Sequence, residues 1–561
     1  MNDKLHLSEY PRPQLVRDSY LSLNGYWEYA IGKDKGFPTQ YDGNILVPYS
    51  PETPLSGVNQ TLHPDEYLFY RKKIELDDSF IKDKIILHFG AVDQTCEVFI
   101  NNQKAYEHIG GFLPFEFDIK PYLKSNEVTI SLRVIDVTDT SYFSRGKQKI
   151  KRGGIWYSPQ SGIYMPVWLE SVGDDYIQSL KITPNIDSKK VKIEVESDAA
   201  QITLRFENKK YQLEHKCIEL DIANMQLWSP ENPFLYNFEI ETEDDKIESY
   251  FAMRKFSLIK DAKGIFRLGL NNKPFLFKGV LDQGYYHDGF LTPASDDDYI
   301  NDIKLIKALG FNTTRKHIKI ESLRFYYHCD RLGLIVWQDM VSGGAKYNLL
   351  TISLPLITGI HRKDFHYEIF GRNNELGRRQ AEEEMCETIK LLYNVPSLGL
   401  WTIFNEGWGQ FDAKEVYAKL NLLDNTRLYD HASGWHDQGV SDVKSLHVYF
   451  KRVKMPHKKQ IKNRSVILSE CGGYSLPIKG HMFSEKPFGY KILKNKEDLV
   501  NEYQNFINKD IIKNIPLGLS AYIYTQLSDV EDEVNGFITY DRSVIKVNPD
   551  YIKKINDSVK L

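Results

Sequence analysis

The sequence predicts a chain of three domains: a jelly-roll β-sandwich over residues 1–172, an immunoglobulin-like β-sandwich over 173–259 and a (β/α)8 barrel over 260–561. Three observations support this division. Short strand-like segments without helical stretches fill the first part of the chain. A second block of still shorter alternating segments follows it. From about residue 260, apolar strand-like runs alternate with helical or irregular connections, which is typical of a barrel of this size.

The first domain is predicted from evenly spaced strands that Gly, Asn, Asp and Pro turns separate. These strands are Tyr67–Leu76, Lys84–Phe89, Cys96–Ile100, Glu127–Val134 and Met165–Ser171. Two loops, 110–115 and 154–164, are rich in glycine and aromatic residues. Their composition favours packing at a domain junction over direct contact with a substrate.

The second domain is predicted from about seven short strands in under a hundred residues, which is the pattern of an immunoglobulin-like sandwich. Its clearest strands are Lys190–Glu196, Gln201–Glu207, Cys217–Ile222, Leu235–Glu241 and Tyr250–Met253. Charged residues separate these strands, and no residue pattern in the block indicates chemistry.

The third domain contains eight strand candidates with helical stretches at 296–309, 321–332 and 374–393. The strand candidates are Pro274–Val280, Phe311–Arg315, Leu334–Gln338, Leu398–Phe404, Thr426–Tyr429, Ser445–Tyr449, Val466–Ser469 and Leu519–Thr525. Polar residues stand at or just after the ends of these runs: Asp282, Gln283, Arg315, His317, Asp339, Asn405, Glu406, His431, His447, Tyr449, Glu470, Gln526 and Asp529. Because active sites of barrels lie at the C-terminal ends of the strands, this placement predicts a site there.

Composition narrows the classes of partner. The chain has 72 basic and 76 acidic residues, well mixed, so we expect no nucleic-acid partner. The sequence contains neither a run of about 18 apolar residues nor an N-terminal signal-like segment, so we expect a cytoplasmic protein without a membrane partner. Five scattered cysteines argue against a disulfide framework or a zinc site, and we expect no cofactor or dedicated metal.

Two glutamates stand out because each directly follows an apolar strand. Glu406 follows the fourth strand candidate and Glu470 the seventh, so they would face each other across the mouth of a barrel. Two carboxyl groups about 5–5.5 Å apart form the arrangement for retaining glycoside hydrolysis. The acid then needs a raised pKa and the nucleophile must stay ionised. Arg315, on the second strand, is a candidate for holding Glu470 anionic.

Several segments resemble glycoside hydrolase family 2, which includes β-galactosidases, β-glucuronidases and β-mannosidases. The resemblance covers nearly the whole chain. It lies in residues 11–13 and 23–27, in 154–156 and 161–169, in 228–236, in Gly310-Phe311-Asn312 with Arg315 and His317, and in Trp401 with Asn405-Glu406. The Asn-Glu pair at the end of a fourth strand is the most specific of these features.

The resemblance implies roles for particular residues. Glu406 would be the general acid/base and Glu470 the nucleophile, while Asn405 would hydrogen-bond the 2-hydroxyl of the sugar. Trp408 would be either a platform on the leaving-group side or a packing residue. The other expected substrate-binding residues are Arg315, His317, His447, Tyr449, Asp282, Gln283 and Gln526.

This sequence also departs from the family's best-known members. The β-glucuronidases use an Asn-x-Lys motif after the eighth strand to grip the sugar carboxylate, whereas residues 532–537 here read DEVNGF, without a lysine. Lys316 and Lys319 could still offer positive charge to an acidic sugar. The residues after the first strand lack the His-rich sequence of the well-known galactosidases. The chain stops about where the barrel ends, so we expect it to lack the extra C-terminal domains of long galactosidases.

The sequence therefore predicts a retaining exo-β-glycosidase acting on a small-molecule or oligosaccharide β-glycoside, with a β-galactoside favoured. The alternatives are a β-galacturonidase, β-glucuronidase, β-mannosidase or α-L-arabinopyranosidase-like enzyme, a transglycosylase, and a non-catalytic carbohydrate-binding homologue. A homo-oligomer is compatible with the sequence.

Overall fold

A computed structural model describes residues 6–353, 355, 358–449 and 451–561. The first five residues of the first predicted domain lie outside the described part. The predicted fold class is confirmed: two β-sandwiches precede a parallel eight-stranded barrel.

The N-terminal sandwich consists of two antiparallel sheets. In spatial order, one contains Tyr20–Ser22, Val167–Val172, Lys84–Phe89 and Phe115–Asp118. The other contains Gly43–Val47, Gly25–Gly32, Tyr67–Glu75, Glu127–Ile135, Thr95–Ile100 and Gln103–Ile109. Alternate apolar residues of these strands, such as Leu87, Val98 and Leu132, are fully buried in a core between the sheets. A two-stranded sheet of Val92–Asp93 and Gly162–Ile163 lies beside them.

The second sandwich has a three-stranded and a four-stranded sheet. The first consists of Ile177–Asn185, Lys190–Ser197 and Cys217–Asp221, and the second of Lys209–Gln212, Thr203–Phe206, Tyr236–Glu241 and Lys246–Phe251. Along Lys190–Ser197 the buried Val191, Ile193 and Val195 alternate with more exposed residues. This period of two places one face of the strand in the core.

A small sheet of Phe256–Lys260, Phe266–Leu270 and Lys273–Pro274 leads into the barrel. Leu268 and Leu270 pack with Ile335, Ile467 and Ile523 of the barrel strands. The predicted start of the first barrel strand at Pro274 was wrong, because Lys273–Pro274 pairs with Gly269–Leu270 and the barrel strand begins at Phe277.

The barrel strands are β1 (Phe277–Asp282), β2 (Thr313–Lys316), β3 (Ile335–Asp339), β4 (Leu398–Thr402), β5 (Leu428–Asp430), β6 (Val443–Val448), β7 (Ser465–Gly472) and β8 (Leu519–Thr525). They run in the order β5-β4-β3-β2-β1-β8-β7-β6. The seam between β5 and β6 is bridged by a hydrogen bond of 3.0 Å from Ser445 Oγ to Asp430 Oδ1. All C-terminal strand ends therefore meet at one mouth.

In the part of the chain that the structure describes, the α-helices are α1 (Asp296–Ala308), α2 (Leu323–Leu332), α3 (Leu349–Ile352), α4 (Glu375–Leu392), α5 (Ala413–Leu423), α6 (Lys458–Ile461), α7 (Lys496–Phe506) and α8 (Pro549–Asp557). Ser295 and Asp298 form a capping box at the start of α1, and Gly333 ends α2 in the left-handed conformation. Among the described residues, none of the helices combines the length and apolar composition that a bilayer crossing requires.

The N-terminal sandwich contacts the barrel mouth. Phe112, Tyr157 and Tyr164 from its two aromatic loops share one buried cluster with Tyr285 and Tyr540. The segment before the second loop pairs with the barrel as well, since Ser144 bridges to Gly343. The expectation that these loops pack at a domain junction is confirmed by these contacts, and the junction lies next to the strand ends.

Candidate active site

Glu406 is held by an unusual local backbone. β4 ends at Thr402, and Glu406 adopts a left-handed conformation with φ of 51°. Its backbone N–H donates to Ser433 O at 3.0 Å, and its carbonyl accepts from Trp435 Nε1 at 2.9 Å. Non-glycine residues rarely adopt such φ values without support from their surroundings, so these contacts fix the direction of the side chain.

The structure brings Glu406 and Glu470 together. One carboxylate oxygen of each, together with a ring nitrogen of His447, lie within 4.8 Å of one another. Retaining glycosidases have carboxyl groups about 5–5.5 Å apart, whereas inverting enzymes leave about 6.5–9.5 Å for a water molecule. The separation fits the retaining geometry.

His447, on β6, links the two carboxylates. Its Nδ1 lies 2.8 Å from Glu406 Oε1, and its Nε2 lies 2.9 Å from Ser433 Oγ and 3.7 Å from Glu470 Oε1. Ser433 in turn donates to Ser469 Oγ at 2.8 Å. The imidazole is therefore positioned by contacts on both nitrogens.

Arg315, on β2, contacts three elements with one guanidinium group. Its Nε donates to Asp339 Oδ1 at 2.9 Å, Nη1 to Glu470 Oε1 at 3.1 Å and Nη2 to Asn405 Oδ1 at 2.8 Å. The side chain is fully buried. Such charge-assisted bonds are strong in a low-dielectric interior and fix the mutual geometry of β3, β4 and β7.

Asn405 presents an unpaired donor. Arg315 can only donate hydrogen bonds, so it requires the oxygen of the Asn405 amide on its side. The opposite atom, Nδ2, is buried and has no hydrogen-bond partner in the part of the chain that the structure describes. Because an unpaired buried donor costs about 1–3 kcal/mol, this amide is suited to a hydroxyl group of a bound ligand.

The pKa values of Glu406 and Glu470 are shifted in opposite directions. Burial raises the pKa of Glu406 above its usual value, although the hydrogen bond from His447 opposes this. Burial also acts on Glu470, but the charges of His447, His317 and Arg315 and a hydrogen bond from Tyr449 lower its pKa to about 2. Glu406 is therefore suited to hold a proton, and Glu470 to stay ionised.

His317 and Trp408 lie beside this pair. His317 Nδ1 lies 2.8 Å from Asp339 Oδ2, and its ring centroid is 6.3 Å from that of Trp408. Trp408 is only 3% exposed and packs against Trp156 of the N-terminal sandwich, with centroids 5.0 Å apart. Its contacts in this structure are those of a packing residue at the domain junction.

Three of the expected substrate-binding residues are engaged with protein groups. Asp282 forms a buried ion pair of 2.6 Å with Lys316. Gln283 Nε2 donates to Gln526 Oε1 at 2.8 Å, and Gln526 Nε2 donates to Asn535 Oδ1 at 2.7 Å. Gln283, Gln526 and Asn535 therefore form a hydrogen-bonded chain at the ends of β1 and β8.

The expectation that Lys316 and Lys319 offer charge to an acidic sugar is not supported by the structure. Lys316 is fully buried between Asp282 and Glu321, at 2.6 and 2.9 Å. Lys319 contacts Glu321 at 2.9 Å and donates to the carbonyl oxygens of Gly284 and Leu291. Both ammonium groups already have anionic partners, which the spacing of the lysines in the sequence could not reveal.

Sequence reasoning missed a group of residues beside the site. Lys147 and Tyr157 come from the N-terminal sandwich, and Glu533 follows β8. Tyr490 stacks on Tyr449 with ring centroids 4.4 Å apart. None of these follows directly on a barrel strand, so the rule that located Glu406 and Glu470 could not find them. Only the sequence around Glu533, where the lysine of the Asn-x-Lys motif is missing, indicated that this loop differs.

Glu406, His447 and Glu470 also form the kind of cluster that could hold a metal ion. A cation there would compete with the contacts of both His447 nitrogens, to Glu406 and to Ser433. The same three side chains fit proton transfer and nucleophilic attack without such rearrangement.

Three family models match the chain in order. "Glycosyl hydrolases family 2, sugar binding domain" matches residues 30–171, "Glycosyl hydrolases family 2" matches 175–254, and "Glycosyl hydrolases family 2, TIM barrel domain" matches 262–542. The last alone spans half of the chain.

Relatives and solved structures agree with these matches. The chain is 25% identical to a β-glucuronidase of Streptococcus agalactiae serotype V, over 83% of this chain and 84% of that protein. It is 24% identical to a β-galactosidase of Thermoanaerobacter pseudethanolicus, over 57% of this chain but only 46% of that protein. Several other curated relatives are likewise covered over less than half of their length.

A solved β-D-glucuronidase from Dictyoglomus thermophilum matches with a TM-score of 0.77 at 20% identity, over 98% of this chain and 99% of that one. At this identity the likeness shows a shared fold. The three family matches, together with the geometry around Glu406 and Glu470, lead to one assignment. The chain belongs to glycosyl hydrolases family 2.

Proposed function

We propose that this protein is a retaining exo-β-glycosidase that removes a terminal β-linked sugar by double displacement. The observation that carries the proposal is the pair Glu406 and Glu470, whose oxygens lie within 4.8 Å and whose pKa values are shifted in opposite directions. A carbohydrate-binding homologue without catalysis would have no need of this difference.

In the first step, a Glu470 oxygen attacks the anomeric carbon while the bond to the leaving oxygen breaks. Glu406 gives its proton to that oxygen, so the aglycone leaves as an alcohol and a glycosyl ester forms on Glu470. Arg315 and Tyr449 hold the nucleophile ionised and oriented before attack. Glu406, whose side chain is 13% exposed, remains accessible to the leaving group.

In the second step, Glu406, now a carboxylate, takes a proton from water, and the resulting oxygen attacks the anomeric carbon. The ester bond breaks, Glu470 is released and the configuration at the anomeric carbon is retained. Asn405 Nδ2 donates to the 2-hydroxyl throughout, a contact that strengthens as positive charge develops on the sugar. A sugar acceptor in place of water would give transglycosylation with the same residues.

We propose that the sugar removed is an uncharged hexose and that a β-galactoside is the preferred substrate. The ion pairs of Lys316 and Lys319 support this, because neither lysine retains an unpaired charge for a carboxylate. The second candidate is a β-hexuronide, because the similar S. agalactiae protein is a β-glucuronidase.

Two measurements test the proposal. A panel of aryl β-glycosides (galactoside, glucuronide, galacturonide, glucoside, mannoside, fucoside and arabinoside) should show turnover, with the galactoside preferred. A 2-fluoro glycosyl fluoride of the preferred sugar should add its mass to the peptide that contains Glu470. Turnover without such a label would contradict the assignment of the nucleophile, and no turnover on any glycoside would favour the binding homologue.

A further inference from the structure

Lys147 reaches the catalytic centre from another domain. Its segment docks on the barrel mouth, where Arg145 N and Gly146 N both donate to Ser342 O at 3.0 Å. Lys147 Nζ lies 6.0 Å from the ring centroid of Trp408, two residues after Glu406. Its charge also acts on the site, since it lowers the pKa of Glu406. The side chain is only 7% exposed.

A carboxylate accompanies this lysine. Lys147 Nζ donates to Tyr157 Oη at 3.0 Å and lies 3.6 Å from Glu533 Oε2, to which Tyr157 also donates. Glu533 is 3% exposed and belongs to the loop after β8. The Asn535 amide lies 3.5 Å from its other oxygen. The ion pair therefore joins the sandwich to the barrel in a setting where water screens it little.

We propose that Lys147 of the N-terminal sandwich and Glu533 of the loop after β8 form a charge-compensating pair that makes the site select an uncharged sugar over its uronic acid counterpart. This rests on the proposed glycosidase function and names the sugar class that the same site takes. The hydroxymethyl group of a sugar bound beside Trp408 would meet both a donor, Lys147 Nζ, and an acceptor, a Glu533 oxygen, in this pair. A carboxylate would meet the buried charge of Glu533, which offsets the attraction of Lys147.

The test is the ratio of kcat/KM for 4-nitrophenyl β-galacturonide to that for 4-nitrophenyl β-galactoside, two substrates that differ only at C6. Glu533→Gln keeps the shape of the side chain and leaves Lys147 without its anionic partner. We expect the ratio to rise at least about tenfold. Adding Lys147→Met to this variant should return the ratio to the wild-type value or below.

The ratio is independent of the fraction of active enzyme, so partial unfolding does not imitate the effect. If Glu533→Gln fails to fold, Lys147→Met alone tests the pair from the other side, because the ratio should then fall. Lys151→Met, an exposed lysine in the same segment, is the matched control and should leave the ratio unchanged. A ratio within twofold of wild type in both Glu533→Gln and Lys147→Met overturns the proposal.

Failure of the proposed sugar is distinguishable from failure of the pair. A wild-type enzyme that prefers the galacturonide would contradict the choice of a neutral sugar, yet the variants would still show whether the pair sets the preference. If no glycoside is hydrolysed, the dissociation constants of galactose and galacturonate, measured by calorimetry, supply the same ratio without turnover.

Discussion

At the scale of single residues, the acid/base assignment of Glu406 is the most direct to test. Glu406→Gln removes the proton that aids departure of the leaving group, so kcat/KM should fall by about 10²–10⁴-fold. The loss should be smallest for aryl glycosides with good leaving groups. The alkaline limb of the pH–rate profile, which reports loss of the Glu406 proton, should disappear. An equal loss for all leaving groups would contradict the role.

Asn405 provides a second residue-scale prediction. Its Nδ2 lacks a partner among the described residues, so Asn405→Ala should weaken binding of the transition state through the 2-hydroxyl. We expect a loss of about 10–100-fold in kcat/KM on a normal galactoside, which corresponds to about 1–3 kcal/mol for a lost hydrogen bond. On the 2-deoxy glycoside, wild type and variant should differ little. An equal loss on both substrates would show that Asn405 acts only through the position of Arg315.

At the scale of elements, the sequence predicted strand ends better than the contacts between them. Glu406 and Glu470 could be paired because both follow apolar strands, and barrel geometry places strands four and seven across the mouth. The partners of Asp282 could not be predicted, since ion pairing with Lys316 depends on which way two adjacent strands direct their side chains. The position of Lys147 at the site could not be predicted for another reason, because this residue comes from a loop of a different domain.

The C-terminal turn of α2 yields a prediction on stability. Burial raises the pKa of Asp330 to about 7, while its oxygens accept from Ser397 N at 2.7 Å and Tyr250 Oη at 2.8 Å. The native state therefore binds the proton more tightly than the unfolded chain, and stability falls as pH rises from about 4 to 7. Between pH 5 and pH 8, ionisation of the buried Asp330 carboxyl should lower the free energy of unfolding by up to about 3 kcal/mol.

Asp330→Asn keeps the shape of the side chain and has no charge to bury. Its free energy of unfolding, measured in urea at pH 5 and pH 8, should therefore change less with pH than that of wild type. Asp297→Asn, an exposed position on α1, is the control and should follow the wild-type curve. Parallel curves for Asp330→Asn and wild type would show that the carboxyl does not titrate in this range.

At the scale of the whole molecule, the number and order of domains could be predicted because the spacing of strands and the hydrophobic pattern change along the chain. Alternation with period two predicts the sandwiches, and apolar runs separated by helices predict the barrel. How the domains meet could not be predicted. Trp156 and Trp408 lie far apart in sequence, and nothing in either segment encodes the partner, yet their rings lie 5.0 Å apart beside the catalytic pair. The surroundings of the catalytic pair therefore form only when the N-terminal sandwich packs on the barrel.

Trp228 tests whether the domains act as one folded unit. It lies between the strands Cys217–Asp221 and Tyr236–Glu241 of the immunoglobulin-like domain. It is fully buried and packs with Phe256 and Trp337 in the cluster that also contains barrel residues such as Ile335. Its Nε1 donates to Asp330 O at 2.8 Å. Trp228→Ala should therefore cost about 3–5 kcal/mol of stability and lower the midpoint of thermal unfolding. Trp228→Phe, which retains most of the packing, should cost less.

Below the midpoint, kcat/KM of both variants should match wild type, because Trp228 contacts none of Glu406, Glu470 or Arg315. A selective loss of activity in a variant with an unchanged midpoint would show instead that this junction transmits its geometry to the site.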